Sequence, residues 1–218
     1  MAELVPIPSP GVPLAYGAMG APIVVVLHDK YGRLPWLEPY AEALANRGGL
    51  RVLVPDFYDG VATTESEGAS ALMAALTDEA AAGILGETIA AERGEGIDAQ
   101  RIGLVGFSMG GGIALRGAQA GLADAVVAYY ATLGPADPGI VPCPVLLHLA
   151  EEDSWSAGAD PDSFAARLRD DGTPVTAHTY LGTLHSFANA TLREKVDGRA
   201  AALAFARTTV FLESRLKD

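Results

Sequence analysis

Short runs of β-branched and aliphatic residues alternate along this chain with longer alanine-rich stretches, and that alternation sets the fold class. Ile23-Val24-Val25-Val26-Leu27, Arg51-Val52-Leu53-Val54, Ile102-Gly103-Leu104-Val105, Ala125-Val126-Val127-Ala128-Tyr129 and Val145-Leu146-Leu147-His148-Leu149 are almost continuously apolar. Runs of that length without regular polar positions predict strands covered on both faces. Residues 175–180 alternate more, as suits a strand nearer a sheet edge, and residues 12–16 offer an antiparallel edge strand. Helices are predicted near 35–47, 69–93, 110–120, 160–170 and 197–216. Strand-helix-strand order of this kind predicts an α/β fold: a mostly parallel sheet with helices on both faces. Gly48-Gly49, Gly94, Gly96, Gly134-Pro135 and Pro142 punctuate the junctions. Residues 59–70 fit neither pattern and read as a loop, too short for a large lid. With no repeat and no linker, residues 1–218 read as one domain.

Composition narrows the partners. A net charge of −12 argues against nucleic acid and against an anionic membrane surface. Cys143 is the single cysteine, so no intrachain disulfide can form. The start Met1-Ala2-Glu3-Leu4-Val5-Pro6 lacks the basic and apolar regions of a signal peptide, and no apolar stretch reaches the ~20 residues of a membrane span. The expectation is a soluble cytoplasmic protein whose oligomeric state the sequence leaves open. No clustered Cys/His spacing suggests a metal, and no cofactor is expected.

The chemistry centres on Val105-Gly106-Phe107-Ser108-Met109-Gly110-Gly111, a G-x-S-x-G placed between a strand and a small-residue helix. In that setting the pattern predicts a nucleophile elbow, a turn tight enough to need glycine on either side of the serine. The alternative is a structural Gly-rich turn, and partners for the serine decide against it. A serine hydroxyl needs a base. His28, His148 and His178 fall in or at the end of strands and read as structural. His185 falls in Leu181-Gly182-Thr183-Leu184-His185-Ser186-Phe187, a loop after the last strand, where parallel-sheet proteins place chemistry. A carboxylate should fix the imidazole tautomer. Glu151, Glu152 and Asp153 all follow the fifth long strand. Asp153 is preferred because it lies farthest beyond the strand and opens the turn Asp153-Ser154-Trp155. The order Ser108, Asp153, His185 is that of α/β-hydrolase triads. Oxyanion donors are then expected from the backbone N–H groups of Met109 and Lys30. Tyr31, Phe57, Tyr58, Trp155 and Phe187 are candidate pocket-shaping side chains.

With these pieces placed, the chain resembles the dienelactone hydrolase family of α/β-hydrolases. The resemblance rests on Val25-Val26-Leu27-His28-Asp29-Lys30-Tyr31-Gly32, on Val52-Leu53-Val54-Pro55-Asp56-Phe57-Tyr58, on the elbow, on Val141-Pro142-Cys143-Pro144-Val145-Leu146, and on Tyr180-Leu181-Gly182-Thr183-Leu184-His185-Ser186-Phe187-Ala188-Asn189. It implies an eight-stranded type of sheet, no large lid, and hydrolysis of small esters or lactones. It also supports Asp153, His185 and the Lys30 N–H in their roles. Two departures stand out. The namesake enzymes carry cysteine where this chain has Ser108, and glutamate where it has Asp29. Here Asp29 is expected to do no more than pair with a cation such as Lys30. The namesakes also hold a substrate carboxylate with arginines, one of them at the position of Asn189, and residues 59–71 contain none. The expectation is a serine-dependent hydrolase of small carboxylic esters or lactones, with no feature selecting an anionic one. A thioesterase or peptidase using the same triad is the alternative, as is a non-catalytic ligand-binding protein of the same fold.

Overall fold

A computed structural model describes residues 4–93, 101–154 and 160–217. The apolar runs form β2 (Ile23–Leu27), β3 (Arg51–Val54), β4 (Ile102–Phe107), β5 (Ala125–Tyr129), β6 (Val145–Glu152) and β7 (Val175–Leu184), preceded by β1 (Leu14–Tyr16). They pair in the order β1-β3-β2-β4-β5-β6-β7, β1 running antiparallel to β3 and all other pairs parallel. The two-residue period of a strand then divides each run between two layers. Val24 and Val26 face the layer built with α1 (Leu37–Gly48) and α6 (Gly198–Leu216). Ile23, Val25 and Leu27 face the layer of α3 (Asp78–Arg93), α4 (Met109–Gln119) and α5 (Pro161–Asp170). Covering on both sides is why these strands have no polar face.

The chain winds outward from β2 to β3, then returns to place β4 on the other side of β2. Successive crossovers therefore diverge above the C-terminal ends of β2 and β4. A crevice opens at such a switch point in open parallel sheets, and the loops carrying Lys30 and Ser108 both rise there.

Three expectations are corrected. Residues 69–93 are not one helix: α2 (Ser66–Ala75) and α3 are separated at Leu76, whose backbone is extended (φ −81°, ψ 114°). Thr77 causes the restart, because its Oγ1 accepts from the Ala80 N–H (3.1 Å) and its carbonyl from the Ala81 N–H. Asp78 and Glu79 then stand in the first turn, where acidic side chains favour a helix N-terminus. The stretch 59–70 is likewise not all loop, since α2 begins within it. Finally, the described residues form seven strands rather than eight. Pro6, Pro8, Pro10 and Pro13 remove backbone donors ahead of β1, leaving an isolated bridge between Leu4 and Thr63. Among the described residues no helix is long and apolar enough to cross a membrane.

Candidate active site

Ser108 joins β4 to α4 with φ 52° and ψ −113°, a conformation that L-residues adopt only under constraint. The constraint is visible on both sides. A Cβ on Gly106 would lie 2.1 Å from the Gly110 carbonyl oxygen, and one on Gly110 would lie 2.4 Å from that of Leu27. The Ser108 N–H donates to the Tyr129 carbonyl (2.9 Å), which ties the turn to β5. Met109 opens α4, so its N–H has no acceptor within the helix. Lys30 lies beyond the end of β2, and both residues line the same cavity as Ser108.

His185 follows directly on β7, which runs four residues beyond the stretch predicted for it. Its last part shifts register against β6 between Ala150 and Glu152, and Gly182 supplies a left-handed φ of 71° there. The shift leaves the His185 N–H on the Glu152 carbonyl and brings its ring between the other two side chains. The Ser108 hydroxyl donates to Nε2 at 2.8 Å, and Nδ1–H donates to Asp153 at 2.8 and 2.9 Å. This pairing selects the neutral tautomer with its proton on Nδ1. Glu151 and Glu152 are exposed, and the Glu151 carboxylate accepts instead from the Gly182 N–H (2.7 Å).

Asp29, in the loop after β2, is fully buried and within electrostatic reach of His185. Its carboxylate accepts from the Asn189 amide (2.8 Å) and from the Tyr31 N–H (3.0 Å), with the Lys30 ammonium as a weaker electrostatic partner. Lys30 Nζ reaches Ser66 and Ser70 on α2, both at 3.1 Å. Burial raises the Asp29 pKa to about 6, against the opposing pull of Asn189, Tyr31, His185 and Lys30. Asn189 thus occupies the namesakes' arginine position as a brace between the histidine loop and the Lys30 loop. His28 and His148 are buried supports. The Phe57 N–H donates to His28 Nε2 (3.1 Å), while His148 sits between Tyr180 and Thr208.

The cavity at the nucleophile measures about 380 Å³. One wall is α2 and α3, through Met73, Leu76 and Ala81; the other is the segment after β5, through Tyr130 and Leu133. Four of the five proposed pocket aromatics do not line it. Tyr31 and Phe187 are buried in the layer on one face of the sheet and Phe57 in the layer on the other, so these rings serve the core. Tyr58 stands one shell away, its hydroxyl donating to Met109 Sδ (3.2 Å). Trp155 lies outside the described residues.

Among the cavity residues that the sequence did not single out, Tyr130 and Arg116 stand out. Tyr130 packs its ring 5.0 Å from that of His185, and nothing in the local pattern marks it. Arg116 pairs through Nε with Asp137 (3.0 Å) and through Nη2 with Asp78 (3.7 Å). Its spacing was a usable signal, since Ser108, Gly112 and Arg116 recur every four residues along one face of α4.

The chain matches the model of the dienelactone hydrolase family over residues 14–216. It is 28% identical over 211 residues to carboxymethylenebutenolidase 1 of Cupriavidus pinatubonensis, covering 91% of this chain and 88% of that protein. Among solved structures it superposes on a dienelactone hydrolase-like promiscuous phosphotriesterase from metagenomic libraries, with a TM-score of 0.78 at 19% identity, covering 91% of this chain and 88% of that one. An esterase of Pyrobaculum calidifontis superposes with a TM-score of 0.69 at 17% identity, covering 98% and 85% respectively. At those identities the two structures establish the α/β-hydrolase fold.

Proposed function

This chain belongs to the dienelactone hydrolase family and is a hydrolase of small esters, and from that premise we propose that it works as a serine enzyme on carboxylic esters or lactones through an acyl-enzyme. The observation that carries this reading is the continuous hydrogen-bonded chain from Ser108 through His185 to Asp153 at the floor of a cavity. Ser108 Oγ attacks the ester carbonyl carbon while its proton passes to His185 Nε2. Asp153 holds the ring and stabilises the imidazolium that forms. The oxyanion is received by the N–H groups of Met109 and Lys30, each such donor contributing roughly 3 kcal/mol. His185 then protonates the departing alcohol oxygen, and the carbonyl reforms as the acyl-enzyme. A water molecule attacks in turn, giving its proton to His185 and releasing the acid with Ser108 restored. A serine needs no standing anion for this sequence, so Asp29 has no thiol to ionise and serves as part of the loop brace.

A fluorophosphonate probe tests the reading directly. The wild-type protein is expected to label stoichiometrically, and Ser108→Ala to lose both labelling and p-nitrophenyl butyrate hydrolysis, the latter by about 10⁴-fold or more. Equal labelling of the Ser108→Ala variant would overturn the assignment. The cavity size favours short acyl chains, and faster turnover of a laurate than of a butyrate ester would contradict that part.

A further inference from the structure

The cavity carries a polar device that the triad does not use. Arg116 lies two turns along α4 from Ser108 and folds its side chain back toward the helix N-terminus. Nη1 comes to rest 3.2 Å from where a Cβ on Gly112 would stand, so the absence of a side chain at 112 leaves the room that the guanidinium occupies. Nε is committed to Asp137 and Nη2 to Asp78. These two carboxylates come from opposite walls, the segment after β5 and the first turn of α3; Asp137 hydrogen-bonds the guanidinium, and the exposed Asp78 adds a longer ion pair on the other side. Nη1 makes no hydrogen bond among the described residues, and Gly112, Arg116, Asp78 and Asp137 all line the cavity that contains Ser108. A planar guanidinium anchored at Nε presents Nη1 on its far side, so part of the side chain's rotamer entropy is already lost.

We propose that Arg116 Nη1 donates a hydrogen bond to a second, uncharged oxygen of the substrate. Gly112 stands one helical turn along α4 from Ser108, so the Nη1 beside it lies at the same end of the cavity wall as the nucleophile. The test substrates place the acceptor oxygen five bonds from the scissile carbonyl carbon, a span that lets it extend from the nucleophile along this wall. The acceptor is a ketone, ester or ether oxygen rather than a carboxylate. Arg116 with Asp78 and Asp137 already sums to one negative charge, so a carboxylate would compete with two aspartates for one cation. A neutral oxygen accepts from an Nη1 N–H without displacing either. This inference rests on the serine-esterase reading and narrows its substrate class to oxygen-bearing esters and lactones.

The test compares near-isosteric substrates. On the acyl side these are p-nitrophenyl 5-oxohexanoate, 5-methylhexanoate and hydrogen glutarate; on the alcohol side, the acetates of 4-hydroxy-2-butanone and of isoamyl alcohol. Wild-type kcat/KM is expected to favour the oxo compound over its methyl isostere by about tenfold in one of the two series, as suits a hydrogen bond to a charged donor. That ratio should collapse toward one in Arg116→Leu. In Arg116→Lys, which keeps the charge beside Asp137 but lacks the fork, it should fall at least threefold. A wild-type ratio near one in both series, with ester turnover and probe labelling intact, would overturn the inference and leave the serine esterase standing. A glutarate monoester preferred in an Arg116-dependent way would overturn the choice of a neutral acceptor. Absence of both turnover and labelling would remove the serine-esterase reading and this one with it.

Discussion

Tyr130 bears two local costs in one residue. Its φ is 40°, in the left-handed region that a bulky side chain occupies only under constraint, and its hydroxyl is buried with no hydrogen-bond partner among the described residues. Each costs roughly 1–3 kcal/mol. The return is positional: its N–H donates to the His148 carbonyl (2.7 Å), and its ring stands against both His185 and Phe187. The ring therefore backs the imidazole while the hydroxyl contributes nothing to that support. Tyr130→Phe is expected to raise the unfolding free energy by about 1 kcal/mol and to leave butyrate-ester kcat within about threefold. Urea titration with steady-state kinetics checks both, and a destabilised Phe variant would show that the hydroxyl is engaged. At this scale the sequence was informative where chemistry imposes a spacing and silent where packing imposes a conformation. Ser108, Asp153 and His185 could be put forward because each follows a recognisable strand. Tyr31, Phe57 and Phe187 follow strands as well, yet a one-dimensional pattern does not say whether an aromatic ring turns into the cavity or under the sheet.

At the level of elements, the elbow is the least adjustable part of the molecule. A methyl group on Gly106 would meet the Gly110 carbonyl oxygen at 2.1 Å and the Gly111 nitrogen at 2.5 Å, all of it backbone belonging to the first turn of α4. Gly106→Ala therefore requires β4 and α4 to move apart and should destabilise the fold by about 3 kcal/mol or more. Gly83→Ala is the opposite case. Gly83 lies inside α3 with nothing within 4 Å of an added Cβ, so it should gain up to about 1 kcal/mol from helix propensity. Chemical denaturation of the two alanine variants checks the contrast, and a Gly106→Ala protein as stable as wild type would contradict the packing account. The same comparison explains what was legible among the elements. Burial on two faces writes a strand into the sequence as an apolar run, so β2, β3 and β5 were read with their observed ends. The break between α2 and α3 depends on one capping threonine inside a run of good helix formers, a signal of about 1 kcal/mol that neighbouring alanines obscure. The break matters because Met73 and Leu76 on one side of it and Ala81 on the other form a cavity wall.

Across the whole molecule, the buried polar groups that hold the layers together couple folding to pH, and they do not all act in the same direction. His28 braces the loop after β2 against the one after β3, and His148 joins β6 to β7 and α6 through Tyr180 and Thr208. Burial lowers their pKa values from 6.5 to about 4 and about 3, respectively. Below pH 6.5 the unfolded chain binds protons that the folded chain refuses, so stability falls as pH falls through that window. Between pH 7 and pH 5 each histidine removes about 2 kcal/mol. Asp29 has the opposite sign. Its folded pKa of about 6 exceeds its ordinary 3.8, so the folded chain is the better proton binder in between and recovers about 1 kcal/mol over the same range. The histidines win, and these three groups together leave the protein roughly 2 kcal/mol less stable at pH 5 than at pH 7. His148→Gln offers an amide toward Tyr180 and Thr208 but carries no titrating proton. Whatever it costs in absolute stability, the loss between pH 7 and pH 5 should shrink by about 2 kcal/mol relative to wild type. Urea unfolding of both proteins at the two pH values measures that double difference. An unchanged pH dependence in His148→Gln would mean that the junction between β6, β7 and α6 is not where acid acts on this fold.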